Sequence, residues 1–218
     1  MIVIIGFSIG MYFEYNRSNS IIEQYKNYEV QSLDLTLQNY YYQTMDETSC
    51  QAAIKQNFIF ADDIYAKGLL LEKYEEANQI SSDLLLEKKR YVLLKTELWL
   101  NSILLKKKCN QPFDTVVYFY SADPSDVVSV AQQKIISNVL KTVKENEGNK
   151  IVLLPIAGDM QIGDNSNDPP LGIVAMQERV YNVTKFPSIL INEKILLEGF
   201  HTQEEIQSYL NNRTNSSN

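Results

Sequence analysis

Between Cys50 and Cys109 the chain runs without a proline and with a single glycine, Gly68. Within that stretch, apolar clusters at Leu84–Leu86, Tyr91–Leu94, Leu98–Leu100 and Ile103–Leu105 recur about once every two helical turns, which predicts a long amphipathic helix. Upstream, Ile54, Phe58, Ala61, Tyr65, Gly68 and Leu71 trace a comparable face, and Ser81, Ser82 and Asp83 offer capping side chains between the two runs. Residues 48–110 therefore read as an antiparallel helical hairpin. Each cysteine lies roughly thirty residues from the turn near Ile80, so helices rising about 1.5 Å per residue bring Cys50 and Cys109 side by side. Geometry proposes a disulfide, and closing so long a loop removes roughly 4 kcal/mol of unfolded-chain entropy. Two unrelated buried thiols are the plainer alternative. A redox-active pair is a third, disfavoured because reactive pairs are usually close in sequence and share an electropositive setting.

Past Cys109 the periodicity changes. Val116–Tyr120 reads as a strand, and Asp126–Asn146 as a helix with Val127, Val130, Ala131, Ile135, Val139 and Val143 inward. "KIVLLPIAG" is a second strand, "PPLGIVAMQERVYNV" a short helix, "SILIN" and "KILLEGF" a third and fourth strand, and "TQEEIQSYLNN" a closing helix. The order is βαβαββα. The long first connections permit parallel crossovers, whereas the short link at Asn192 and Glu193 forces a hairpin between the last two strands.

The first 47 residues carry a different signal. An apolar run from Met1 to Phe13 opens the chain, and a polar segment around Asn16–Ser20 follows it. The run is shorter than the roughly 20 residues a spanning helix wants, so a tilted membrane anchor, a signal-peptide core and a buried segment compete. No basic stretch precedes it and no small-x-small cleavage site follows, which favours the anchor, residues 1–15. Residues 16–47 form a linker and a helix, although Leu33, Leu35 and Leu37 alternate as in a strand. Residues 212–218 read as a tail.

Composition removes several function classes. The net charge is −7, and no basic stripe interleaves with aromatics, so nucleic-acid binding is set aside. One histidine, His201, and two cysteines leave little material for histidine catalysis or a zinc site, and no metal or other cofactor is expected. Asp164, Ser166 and Asp168 stand at calcium-loop spacing but lack the sixth-position glycine and the closing glutamate, so the segment reads as a solvated loop. Sequons at Asn16, Asn182, Asn212 and Asn215 would permit glycosylation of an exported chain.

The strand and helix order, together with Tyr181-Asn182-Val183, Phe186-Pro187-Ser188, the hairpin after them and Gly199, resembles the thioredoxin fold over about Phe113 to Leu210. The resemblance implies an α/β fold, a thioredoxin-like βαβαββα domain in residues 111–211 preceded by the helical hairpin. It also implies a cis bond before Pro187, beside the active-site loop. On that loop Pro124 and Val127 stand where redox relatives carry their two cysteines, with Ser125 and Asp126 between them, and no cysteine follows Cys109. Thiol–disulfide exchange needs a thiolate, which this loop cannot supply. A hydrolytic Ser125 would need a base, and the sole histidine lies beyond the last hairpin. Ser125 and Asp126 are more simply the N-cap and first turn of a helix, with Asp123 on a solvated acidic edge. With the apolar N-terminal run the chain reads as membrane-tethered or secreted, its soluble part extracytoplasmic, and the resemblance implies that it binds a protein or peptide partner in a groove lined by Tyr120, Asp123, Pro124, Phe186 and Pro187. A domain kept for packing and docking alone is the competing view. A redox protein using Cys50 and Cys109 with a partner oxidoreductase is the enzymatic one.

Overall fold

The computed structural model describes residues 28–76, 82–110, 113–123, 125, 127–163 and 168–211. The apolar run at the N-terminus, the hairpin turn near Ile80, Pro124, Asp126, Asp164 with Ser166, the tail and the sequons other than Asn182 lie outside them. Among the described residues no helix is long and apolar enough to cross a membrane.

The competing periodicities after the linker resolve as helix: residues 28–44 form α1. Of the three alternating leucines, Leu35 is buried while Leu33 and Leu37 face out. The helix is bound by polar contacts to the strand-free half of the chain. Asn39 donates to Asn101 at 2.7 Å, Asn101 donates to the Leu35 carbonyl at 2.8 Å, and the Ser32 and Thr36 hydroxyls donate to Glu97.

The hairpin follows as α2, Cys50–Glu76, and α3, Ser82–Lys108. Cys50 and Cys109 form a disulfide across its open end, with Cα atoms 5.7 Å apart. Two details correct the sequence reading. Tyr65 is exposed and Ile64 is buried, because the packed face of α2 is turned by one residue toward Ala53, Asn57, Phe60 and Ile64. The helix α3 is buried on most of its girth, including Val92, Leu94, Lys95, Leu98, Trp99, Ser102 and Leu105, since α1, α2 and the sheet surround it. Among its described residues Leu86, Leu93, Leu100, Lys107 and Lys108 are the exposed ones.

Four strands make one mixed sheet in the order β2-β1-β3-β4: β1 Asp114–Tyr120, β2 Ile151–Ala157, β3 Ser188–Ile191 and β4 Ile195–Glu198. β1 is parallel to β2 and antiparallel to β3, and β3 pairs antiparallel with β4. β1 lies in the interior of the sheet with helices on both faces, which is why "DTVVYFY" reads as one apolar run instead of an alternation. On one face Val116, Tyr118, Ile189 and Ile191 pack against α4, Val127–Glu147, and α6, Gln203–Asn211. On the other, Val117, Phe119, Leu154 and Leu190 pack against the hairpin and α5, Gly172–Tyr181. Edge-on ring contacts seal that side, Phe58 to Phe113 at 5.2 Å and Trp99 to Phe119 at 5.9 Å between centroids.

The inward face of α4 differs from the expected one. Gln133, Ile136, Leu140 and Val143 are buried, whereas Val127, Val130, Ala131 and Ile135 point outward. The helix carries two apolar stripes about 100° apart, because Ile135 and Ile136 are adjacent. The stripe through Ile136 and Leu140 meets the Val116–Tyr118 face, which leaves the valines of the first turn uncovered.

Candidate binding site at one end of the sheet

Strand register determines which loops meet. Phe119 pairs with Ser188 and Ser188 with Glu198, while Tyr120 pairs with Ala157. The residues just past these pairs therefore share one end of the sheet: Ser121–Asp123, Ser125 and Val127 after β1, Gly158–Asp159 after β2, Phe186–Pro187 before β3, and Gly199–Phe200 after β4. Hydrogen bonds fasten them together, from Gly158 N to Tyr120 O and from Gly199 N to Pro187 O, both at 2.9 Å. With neighbouring strands about 4.8 Å apart, β1 to β4 spans about 10 Å, the width of an extended segment and its side chains.

At this end the Phe186–Pro187 bond is cis, Pro187 is buried and Phe186 is half-buried. Tyr120 is half-buried and stacks on Tyr118, centroids 5.8 Å apart. Asp123 is exposed; its carboxylate accepts the Ser125 N–H at 2.8 Å, and that backbone bond, with the Ser125 hydroxyl, holds its carboxyl below the usual range. Ser125 is thus held by a turn at Asp123, two residues before Val127, the first described residue of α4. Asp159 fixes the loop from the other side, accepting from the Ser121 hydroxyl and, at 2.6 Å, from the Ala122 N–H.

Three large apolar side chains meet solvent at this end. Val127 is 75% exposed, Val128 69% and Phe200 59%, and all three belong to the converging loops or the helix turn that follows them. Phe200 is carried outward by Gly199, whose φ of +79° lies in the left-handed region that glycine adopts freely.

Sequence reasoning did not find two titratable groups here. Lys95, on α3, is 2% exposed and lies over the Tyr91 ring at 4.2 Å and the Tyr120 ring at 5.8 Å; burial pulls its ammonium down to about 7. Its signal was a cation inside the apolar run "YVLLKTELWL". Glu178, on α5, is pushed up to about 7, by burial first and by the Asp159 carboxylate second. A Cβ at Gly158 would overlap both the Phe186 ring and Glu178 Oε1, so ring and carboxyl close over that glycine. Oε1 is shut from solvent and has no hydrogen-bond partner among the described residues.

The cysteines are elsewhere. Cys109 lies before β1 and the site lies past its far end, so the length of the strand, about 20 Å at 3.3 Å per residue, separates them. Neither cysteine is free. Among the described residues no group of three or more His, Cys, Asp or Glu side chains is placed to hold a metal ion. No protein-family model, curated protein or solved structure matches the chain.

Proposed function

We propose that this chain is a thioredoxin-like protein without a catalytic cysteine pair, which takes up an extended polypeptide segment at the end of the sheet bearing Phe186 and Pro187. The observation that carries the reading is the exposure of Val127, Val128 and Phe200 around that end. Apolar side chains gathered in one place on a surface mark a contact with a partner, whereas scattered ones do not. The thioredoxin-like assignment draws support from the β2-β1-β3-β4 order, the antiparallel β3, the helices on both faces and the cis Phe186–Pro187 bond. Where redox relatives carry thiols this chain has Pro124 and Val127. A surface that cannot form a thiolate can still bind through apolar contacts and main-chain hydrogen bonds at a strand end.

The same reading holds the folded part outside the cytoplasm, tethered to a membrane by the run from Met1 to Phe13, with a secreted form as the alternative. The Cys50–Cys109 bond supports that placement, because disulfides persist mainly in oxidising compartments.

Fluorescence anisotropy of labelled extended apolar peptides with the full-length protein tests the binding reading. Val128→Asp and Phe200→Asp are each expected to weaken binding by about tenfold or more, while Val30→Asp, on the exposed face of α1, leaves it unchanged. Equal affinities for all three variants and the parent chain would remove the site. Insulin reduction with dithiothreitol above a buffer control, abolished by Cys50→Ser, would favour the redox alternative instead.

A further inference from the structure

The apolar rim of the site is set in an acidic surround. Among the described residues of this end, Asp123, Asp159, Glu178 and Glu198 are acidic. The cations are Lys185, which faces Glu198 at 3.9 Å, and Lys95, which is sealed beneath Tyr120. His201, next to Phe200, is turned toward Glu205 at 3.3 Å. The whole chain carries −7, so no long-range field offsets this local excess.

Glu178 differs from the other three. Asp123 and Asp159 are occupied as caps for backbone N–H groups, and Glu198 faces Lys185. The Glu178 carboxyl and the ring of Phe186, the residue before the cis-proline, close together over Gly158, with Glu178 Oε1 out of reach of solvent and of any donor among the described residues. A carboxyl with one oxygen shut from water and without a donor is poorly solvated, and because Glu178 as a whole is only half-buried, a ligand that brings a cationic donor to its open side gains what a fully hydrated carboxylate would not give. Charge of one sign around an apolar contact also selects its partner by repelling the wrong one.

We infer that the polypeptide taken up at this end carries a lysine or arginine side chain flanked by apolar residues, and that Glu178 receives that cation while Val127, Val128 and Phe200 hold its neighbours. The inference rests on the peptide-binding reading above and names the partner's chemistry: an extended, basic and apolar segment. The charged group acting on Glu178 is Asp159, from the segment after β2; Lys185, on the loop before β3, is paired with Glu198. Burial and Asp159 both favour the protonated acid in the free protein, so a cationic ligand must compete with a proton at this carboxyl.

The test uses the full-length protein and three labelled peptides of sequence Leu-Val-Xaa-Phe-Val, with lysine, norleucine or glutamate at the centre. At about pH 8 the lysine peptide is expected to bind about tenfold more tightly than the norleucine peptide, and the glutamate peptide more weakly than either. The lysine advantage shrinks as the pH falls to about 5.5, where the carboxyl holds its proton. Glu178→Gln, which keeps the shape of the side chain, abolishes the advantage, so that lysine and norleucine peptides bind alike. Equal binding of lysine and norleucine peptides by the parent chain at about pH 8 overturns the inference while leaving peptide binding intact. Survival of the advantage in Glu178→Gln also overturns it, by placing the cation elsewhere. Binding of none of the three sinks both this inference and the reading on which it rests.

Discussion

Glu193 accepts a hydrogen bond from the indole Nε1 of Trp99 at 2.9 Å, joining the turn between β3 and β4 to the middle of α3 across 94 positions of sequence. The same carboxylate meets Lys106 Nζ at 3.0 Å and accepts from the Thr115 hydroxyl. Its neighbour Asn192 accepts from Lys106 at 2.7 Å and donates to Asp114 at 2.7 Å. Both turn residues have positive φ, +53° at Asn192 and +57° at Glu193. Asparagine tolerates that conformation; glutamate does so less readily, and here its side-chain contacts hold it there.

Glu193→Ala should therefore destabilise the protein by about 2–4 kcal/mol, because the nearly buried Lys106 loses this carboxylate and the Trp99 N–H loses its acceptor. Glu193→Gly removes the same contacts but relieves the left-handed backbone, so it should be less damaging than alanine by about 1 kcal/mol. Urea unfolding monitored by the fluorescence of Trp99 checks both values. Parent-like stability in the alanine variant would mean that the turn is not held by this side chain.

The Cys50–Cys109 bond closes a loop with a sequence separation of 59, and in the chain-entropy model its loss costs roughly 4 kcal/mol. Cys50→Ser with Cys109→Ser is expected to lower the unfolding free energy by about that amount, with reduction of the parent chain giving a similar loss. Mass mapping of a non-reduced digest should recover one peptide pair. Two free thiols in protein exported to an oxidising compartment would contradict the pairing.

Much of this architecture was legible because the residues involved act locally. The proline-free stretch between the cysteines, the apolar run Thr115–Tyr120 and the short link at Asn192 and Glu193 each specify an element without reference to distant chain. What failed was the choice of face. Ile64 and Tyr65 on α2, and Ile135 and Ile136 on α4, are adjacent apolar pairs, and which member turns inward is decided by the surface that the helix meets. The candidate site was legible only in part for the same reason. Tyr120, Asp123, Phe186 and Pro187 follow one another along loops that a resemblance can locate, whereas Lys95 and Glu178 arrive from helices α3 and α5 through packing. A lysine or glutamate on a helix normally reads as a solvated face.

Lys95 offers a test of that packing. Its ammonium falls from 10.5 to about 7 on burial, so between those values the unfolded chain binds a proton that the folded chain does not. Stability contributed by this group therefore rises with pH from about 7 toward 10.5, and at lower pH the buried charge is a standing penalty that the Tyr91 ring offsets only in part. Lys95→Met should stabilise the protein by about 1–4 kcal/mol near pH 6, and the gain should shrink by pH 9. Urea midpoints of the two proteins at the two pH values decide it. An undiminished difference at pH 9 would mean that the ammonium is not desolvated.

Glu178 titrates in the opposite sense. Burial and the Asp159 carboxylate raise it from 4.5 to about 7, so the folded chain keeps a proton over that window while the unfolded chain has released its own. The stability it contributes is fully present below about 4.5 and is lost as the pH rises to about 7 and beyond. Glu178→Gln, neutral throughout, should match the parent chain near pH 4 and exceed its stability near pH 8, flattening that part of the profile. Lys95 moves in the same experiment, but its window begins where that of Glu178 ends, so the two slopes separate on either side of pH 7. Carbon-13 NMR of the Glu178 carboxyl gives the direct reading. A midpoint near 4.5 would mean that this side chain is solvated, and with it would go the poorly hydrated carboxyl beside Phe186 on which the inference of a basic partner rests.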